Sequence, residues 1–156
     1  MKKIAWAICC LLLVAAASTP QEMPDFSGTF ALTSLKGEHI AKTLPKIVLR
    51  IVQNRDSLEI VESSDDNKAR PNKYFLDGRE SKNTTAGGVP IVDTIETKGK
   101  NLIIRSSYRL PNGVLVRETQ RWDLSGDSKT LKIRRQTQFE GMSMLDETIN
   151  ETYQRM

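Results

Sequence analysis

Apolar and polar residues alternate with a period of two along most of the chain after residue 25, which is typical of strands that bury one face. Segments of this kind run over residues 26–32, 46–53, 58–61, 74–76, 91–97, 102–108, 114–124 and 130–139. Turn-forming sequences separate them, such as Asn54-Arg55-Asp56 and Asp77-Gly78. Consecutive short strands joined by short turns predict an all-β domain, built as a single antiparallel up-and-down meander.

The last segment, residues 142–156, fits two structures. Met142, Leu145, Ile149 and Tyr153 are spaced three or four apart, as on a helix face, yet the last three also share one face of a strand. We expect a strand, because a closing strand leaves the meander without an open edge. The meander then closes into a barrel of about 8–10 strands. Residues 36–44 are expected to hold one short helix or only a loop.

Two turns in the pattern carry more specific predictions. Asn112-Gly113 predicts a type I′ hairpin turn, because both residue types tolerate the positive φ that this turn requires. Residues 81–89, which contain Gly87-Gly88, predict a flexible loop that could act as a lid or contact a partner.

Residues 1–17 have the layout of a secretory signal peptide. Lys2 and Lys3 precede an apolar run over residues 4–17, in which Ala15 and Ala17 would occupy the two small positions before the cleavage site. The run has about 14 residues, fewer than the roughly 20 that a membrane-spanning helix needs, although a retained N-terminal anchor is the alternative. We therefore predict a secreted or periplasmic protein with a short linker at 18–25 and one domain at 26–156.

Cysteine content, charge and motifs disfavour several function classes. Both cysteines, Cys9 and Cys10, lie in the leader, so the mature chain is predicted to have no disulfide and no thiolate chemistry. Of 23 basic and 19 acidic residues, loss of Lys2 and Lys3 leaves 21 against 19, which disfavours nucleic-acid binding. The single histidine, His39, lacks partners for a metal site. With no nucleophile or phosphate-loop motif, we predict no catalytic residues, no cofactor and no enzyme activity.

Polar side chains fall in the middle of the apolar face of three predicted strands. A dry core excludes unpaired ionisable groups, because burying a charge without a partner is costly. These residues therefore predict a cavity that could bind a ligand inside the barrel; the alternative is an Arg135–Glu118 ion pair near the barrel mouth that satisfies only itself. Trp122 is predicted to belong to the core. The candidate lumen residues are Arg135, Glu118, Gln120, Ser106, Tyr108 and Thr137.

Three stretches resemble known barrels. Residues 26–32, Phe-Ser-Gly-Thr-Phe-Ala-Leu, resemble the opening strand of lipocalins and intracellular fatty-acid-binding proteins. Residues 122–131 and the terminal Tyr153-Gln154-Arg155 are similar to secreted bacterial lipocalin-like, calycin-type proteins. The resemblance implies a lipocalin-like barrel around one small apolar or amphipathic ligand. Two departures are Phe30 in place of a usual tryptophan and a reversed order of the Arg-x-Tyr carboxylate clamp, so no fatty-acid site is expected.

Two hypotheses about function follow. The first is a secreted, cofactor-free barrel that binds a small hydrophobic or amphipathic molecule in its lumen. The second is a protein-interaction or inhibitor module that uses its exterior loops around a filled core. A continuous cavity favours the first, whereas a filled lumen with an apolar outer patch favours the second. The oligomeric state is left open.

Overall fold

The computed structural model describes residues 23–38, 40, 43–65, 71–85 and 87–156. The predicted leader, residues 18–22 of the predicted linker and His39 lie outside the described residues. The described chain contains a short 3-10 turn, Ser143–Leu145, and ten strands. The strands are β1 (Gly28–Lys36), β2 (Ile47–Gln53), β3 (Ser57–Ser64), β4 (Pro71–Phe75), β5 (Ser81–Thr84), β6 (Pro90–Lys98), β7 (Asn101–Arg109), β8 (Leu115–Leu124), β9 (Thr130–Phe139) and β10 (Glu147–Arg155).

All ten strands belong to one antiparallel sheet. Strands that follow one another along the chain are hydrogen-bonded neighbours, except for β4 and β5, and β1 pairs with β10. The β1–β10 ladder brings Phe30 opposite Arg155 and Lys36 opposite Asn150, so the sheet is nearly closed into a barrel and its two edges, β4 and β5, lie side by side. The predicted all-β meander closed into a barrel is therefore confirmed, with ten strands.

The seam between β4 and β5 is bridged by side chains in place of a backbone ladder. The backbone N–H of Lys73 donates to Asn83 Oδ1 at 2.9 Å, and that of Phe75 donates to Ser81 Oγ at 3.1 Å. Asn72 Nδ2 donates to the carbonyl oxygen of Thr84 at 3.3 Å. These bonds satisfy backbone groups that an open sheet edge would leave exposed.

The connections define two ends of the barrel. The β2–β3, β4–β5, β6–β7 and β8–β9 turns lie with the start of β1 at one end, which we call the base, and the remaining connections lie at the other end, which we call the mouth. Inward positions near the base are apolar and buried, so the base half is a packed core. Its members include Phe30, Ile51, Leu58, Leu102, Leu124 and Leu131.

Phe26 closes the base of the barrel. Its side chain is fully buried, and its ring meets that of Trp122 edge-on at 6.3 Å between centroids. Its backbone N–H donates to Gln53 Oε1 at 2.9 Å. The sequence pattern predicts a first strand from residue 26, whereas β1 begins at Gly28, because the residues before it turn under the core as a plug.

Gly28 allows the chain to pass closely beneath Arg155. Its φ is +147°, and a Cβ at this position would overlap the Arg155 guanidinium. That guanidinium donates to the carbonyl oxygens of Ser27 at 2.6 Å and Ser128 at 2.7 Å, and it lies 4.6 Å from the ring centroid of Phe30. The contact ties the start of β1 to the end of β10.

We expect Gly28→Ala to lower the free energy of unfolding by about 1–2 kcal/mol, because the alanine is strained at this φ and displaces Arg155. Urea unfolding followed by circular dichroism measures the loss. Gly126→Ala is the matched control, since its Cβ would meet no atom within 4 Å, and its effect should stay below about 0.5 kcal/mol. Equal effects of the two substitutions would contradict the role given to Gly28.

The turn at Asn112-Gly113 is not type I′, so that prediction is wrong. Gly113 has a φ of +86°, but Asn112 does not have a positive φ. The Gly113 N–H donates to the Leu110 carbonyl oxygen at 2.8 Å, and the Leu110 N–H donates to the Val114 carbonyl oxygen at 2.9 Å. Pro111 holds its own φ near −65° and starts the turn one residue earlier, leaving positive φ to the glycine alone.

Three further predictions have different outcomes. Residues 81–89 are not one loop, because Ser81–Thr84 forms β5 and pairs with β6; the short polar sequence has no apolar alternation to reveal a strand. The last segment is a strand as predicted, β10, which pairs with both β9 and β1. Residues 36–38, 40, 43 and 44 contain no helix.

Candidate functional site

A cavity of about 270 Å³ occupies the mouth half of the barrel. Its wall combines apolar side chains, among them Leu49, Ile60 and Ile133, with aromatic and polar groups. The lumen is therefore not filled throughout. Five of the six candidate lumen residues line this cavity: Arg135, Glu118, Gln120, Ser106 and Tyr108.

Thr137 is the candidate that does not line the cavity. It lies opposite Glu118 in the β8–β9 register, on the inward face that the alternation predicts. It instead borders a separate depression with Glu147 and Thr148 near the mouth. The alternation of the sequence predicted which face of β9 carries Thr137, but it could not predict where Thr137 lies between the base and the mouth of the barrel.

One line of cross-strand partners carries polar residues along the inner face of the sheet, rising from the base end of β5 to the mouth end of β10. Directly opposed residues of antiparallel strands project to the same face of the sheet. The line crosses six strands, from β5 to β10, through Ser81, Asp93, Ser106, Glu118, Thr137 and Glu147. The register of the barrel thus gathers polar groups that are far apart in the sequence.

Arg135 lies between two carboxylates. Its Nη1 donates to Glu118 Oε1 at 3.0 Å and its Nε donates to Glu151 Oε1 at 3.3 Å. The three side chains are 25%, 12% and 9% exposed, respectively. Desolvation lowers the pKa of Arg135, but Glu118, Glu151 and Glu62 outweigh it and raise that pKa above its ordinary value. The ion pair and the cavity, which the sequence posed as alternatives, therefore occur together.

A hydrogen-bond chain links this ion pair to the core. Trp122 Nε1 donates to Gln120 Oε1 at 2.9 Å, and Gln120 Nε2 donates to Glu118 Oε1 at 2.6 Å. Trp122 is 2% exposed, which confirms its predicted place in the core, and it also lines the cavity. The chain holds Glu118 in one orientation towards Arg135.

Asp93 is a buried carboxyl group on the cavity wall that the sequence analysis did not select. It accepts hydrogen bonds from Ser106 Oγ at 2.5 Å and from Asn83 Nδ2 at 2.8 Å. Burial raises the pKa of Asp93 despite the lowering effect of these two bonds. The sequence could have identified Asp93, because Ile91, Asp93 and Ile95 alternate along β6 and the two isoleucines therefore share one strand face with the aspartate.

Two glutamates complete the charged wall and were also not selected. Glu62 lies opposite Leu49 in the β2–β3 register and lines the cavity. Desolvation raises the pKa of Glu62, with Arg135 acting in the opposite direction. Glu151 is 8% exposed and accepts a hydrogen bond from the Tyr153 hydroxyl at 3.1 Å. The sequence could have identified Glu62, because it lies two residues after Ile60 and so shares the inward face of the strand with that residue.

The tyrosine and the arginine of the terminal sequence Tyr153-Gln154-Arg155 lie in different parts of the barrel. Tyr153 lines the cavity, whereas the Arg155 guanidinium lies at the base and binds backbone carbonyls. Arg135 is consequently the only cation among the residues described as lining the cavity.

Comparison with known proteins finds similar structures but no similar annotated sequence. No protein-family model matches the chain, and no curated protein matches it. A zebrafish ileal bile acid-binding protein complexed with cholic acid superposes with a TM-score of 0.62 at 19% identity, over 84% of this chain and 98% of that one. Human cRBP IV superposes with a TM-score of 0.59 at 21% identity, over 85% and 99%.

A Schistosoma mansoni fatty acid binding protein in complex with arachidonic acid superposes with a TM-score of 0.57 at 13% identity, over 84% of this chain and 96% of that one. The fold is a lipocalin-like barrel. At these identities the similarity establishes the fold alone.

Two searches of the described residues bear on other site classes. Within those residues, no three His, Cys, Asp or Glu side chains converge in a way that could hold a metal ion. In the same part of the chain, no helix is long and apolar enough to cross a membrane.

Proposed function

We propose that this protein is a secreted or periplasmic barrel that binds one small hydrophobic or amphipathic molecule in its lumen. The observation that carries the proposal is the cavity of about 270 Å³ in the mouth half of the barrel. Its apolar wall with a few oriented polar groups is the usual composition of a ligand pocket, and its volume lies near the lower end for such pockets. The ligand is therefore small.

Two further observations support parts of the proposal. The similar barrels from zebrafish and Schistosoma mansoni bind cholic acid and arachidonic acid, so the fold is suited to enclosing a small amphipathic molecule, although a shared fold does not by itself establish a shared function. Secretion is supported by the sequence of residues 1–17, a positive start followed by a short apolar run. The exterior-binding hypothesis required a filled lumen, and the cavity favours the lumen hypothesis instead.

Binding of a neutral hydrophobic dye, Nile red, tests the proposal. We expect saturable binding with one dye per chain, measured by the rise in dye fluorescence. Ile91 lines the cavity wall, so Ile91→Trp fills part of the lumen and should weaken dye binding by at least tenfold.

Val92→Trp is the matched control for this experiment. Val92 neighbours Ile91 on β6 but faces outwards and is 37% exposed, so the same added bulk leaves the lumen unchanged. We expect its dye affinity to stay within about twofold of the wild-type value, since it has no contact with the cavity. Absence of saturable binding, or equal binding by both variants, would refute lumen binding.

A further inference from the structure

We propose that the lumen selects amphipathic molecules that carry a protonated amine and discriminates against carboxylic acids. This inference rests on the proposed function, because it names the chemical class of the lumen ligand. The argument starts from the charge balance of the cavity and continues with the groups that are free to contact a head group.

Negative charge exceeds positive charge around the lumen. Four carboxyl groups lie on or directly behind the cavity wall, those of Glu62, Asp93, Glu118 and Glu151. Arg135 supplies the only guanidinium, and no lysine is among the described lining residues. Even with Asp93 protonated, three carboxylates face one cation. A cationic ligand reduces this imbalance, whereas an anionic ligand increases it.

Arg135 is a poor receptor for a ligand carboxylate despite being a cation inside the barrel. Its Nη1 and Nε already donate to Glu118 and Glu151 at 3.0 and 3.3 Å. A ligand carboxylate that reached the remaining N–H groups would lie beside both glutamates, in a partly desolvated site where repulsion between like charges is strong. The Arg135 guanidinium therefore balances the charges of Glu118 and Glu151 and does not serve as the binding group for a ligand carboxylate.

Glu62 is a carboxylate of the cavity wall that is left available for a head group, and Tyr74 lies on the same wall. Within the described residues, Glu62 makes no ion pair and no side-chain hydrogen bond. Tyr74 lines the same cavity and is 8% exposed. Burial raises the pKa of Tyr74, and a hydrogen bond from the Asn72 side chain opposes that rise.

These groups match the chemistry of an ammonium. An ammonium has three donors and no acceptor, and the Glu62 carboxylate and the Tyr74 hydroxyl oxygen both accept. The aromatic rings of Tyr74 and Tyr108, which line the same cavity, add attraction for a cation over their faces. Leu49, Ile60 and Ile133 provide apolar wall for a short hydrocarbon tail.

Competition against bound Nile red tests the selectivity at neutral pH with three eight-carbon compounds of matched length: octylamine, octan-1-ol and octanoic acid. We expect octylamine to bind at least tenfold more tightly than octanoic acid, a difference of about 1.4 kcal/mol, with the alcohol between them. Glu62→Gln should reduce the amine-to-acid ratio at least threefold, with each affinity calculated from the variant's own dye affinity.

Glu59→Gln is the matched control, because Glu59 lies on the same strand but is exposed on its outer face; we expect its amine-to-acid ratio to equal that of the wild type. Dye binding together with equal or tighter binding of octanoic acid would overturn this inference and leave the proposed function intact. Failure of all three compounds to displace the dye would overturn it as well. Failure of the dye itself to bind would refute the proposed function and this inference together.

Discussion

Replacing Phe26 with alanine is expected to lower the free energy of unfolding by about 4 kcal/mol, the largest effect of any single truncation considered for this barrel. The side chain is fully buried beneath the barrel and packs edge-on against Trp122. Its removal loses the buried apolar surface and leaves a cavity at the base that the closed sheet cannot collapse to fill. Urea unfolding followed by circular dichroism measures the change.

Phe75→Ala is the matched control for the truncation. Phe75 is half-buried on β4, and its ring lies outside the core under Arg79, whose Cζ is 3.7 Å from the ring centroid. Loss of this contact should cost about 1 kcal/mol. Similar losses for the two variants would mean that Phe26 does not seal the base.

Replacing Arg135 with methionine is expected to lower the free energy of unfolding by about 3 kcal/mol. The substitution leaves Glu118 and Glu151, which are mostly buried, without their counter-ion. Removing one partner of a buried ion pair typically costs about 3–5 kcal/mol, and the partial exposure of Arg135 places the expected loss at the lower end. The same urea titration measures it.

The triple variant Arg135→Met, Glu118→Gln, Glu151→Gln tests the cause of that loss. Glutamine keeps an oxygen that can accept the hydrogen bonds from Gln120 and Tyr153 while it removes the unpaired charge. We expect the triple variant to recover more than half of the stability lost by the single one. A triple variant less stable than Arg135→Met would show that packing of the arginine stem, and not its charge, accounts for the loss.

Much of the fold could be predicted from the sequence because alternation is a local property. Five apolar residues of β8 and β9 that alternation assigns to the inward face are buried in the structure, namely Val116, Trp122, Leu124, Leu131 and Ile133. The sequence analysis could predict β10 as a strand and not a helix, because an antiparallel meander would otherwise have an unpaired edge strand. The strand β5 was missed because Ser81–Thr84 is entirely polar, so no buried face marks it in the sequence.

The candidate site was predicted in part for the same reason. Alternation placed Arg135, Glu118 and Ser106 on the inward face, and all three line the cavity. It could not place Glu62 or Asp93 beside them, since β3 and β6 are separated from β9 by many residues along the chain. It also could not exclude Thr137 from the cavity, because height along a strand depends on how the partner strands are aligned.

The sequence by itself determined the strand pattern apart from β5, the face of the side chains in the predicted strands and the polar interruptions within apolar faces, because these follow from a period of two along a single strand. Only the tertiary structure decided which polar groups lie opposite one another across the strands, how Phe26 closes the base, and that Arg135 lies between two carboxylates. The physical reason is that register and closure arise from hydrogen bonds and packing between strands distant in the chain. The charge balance of the lumen depends on that register, and so does the ligand class that we propose for it.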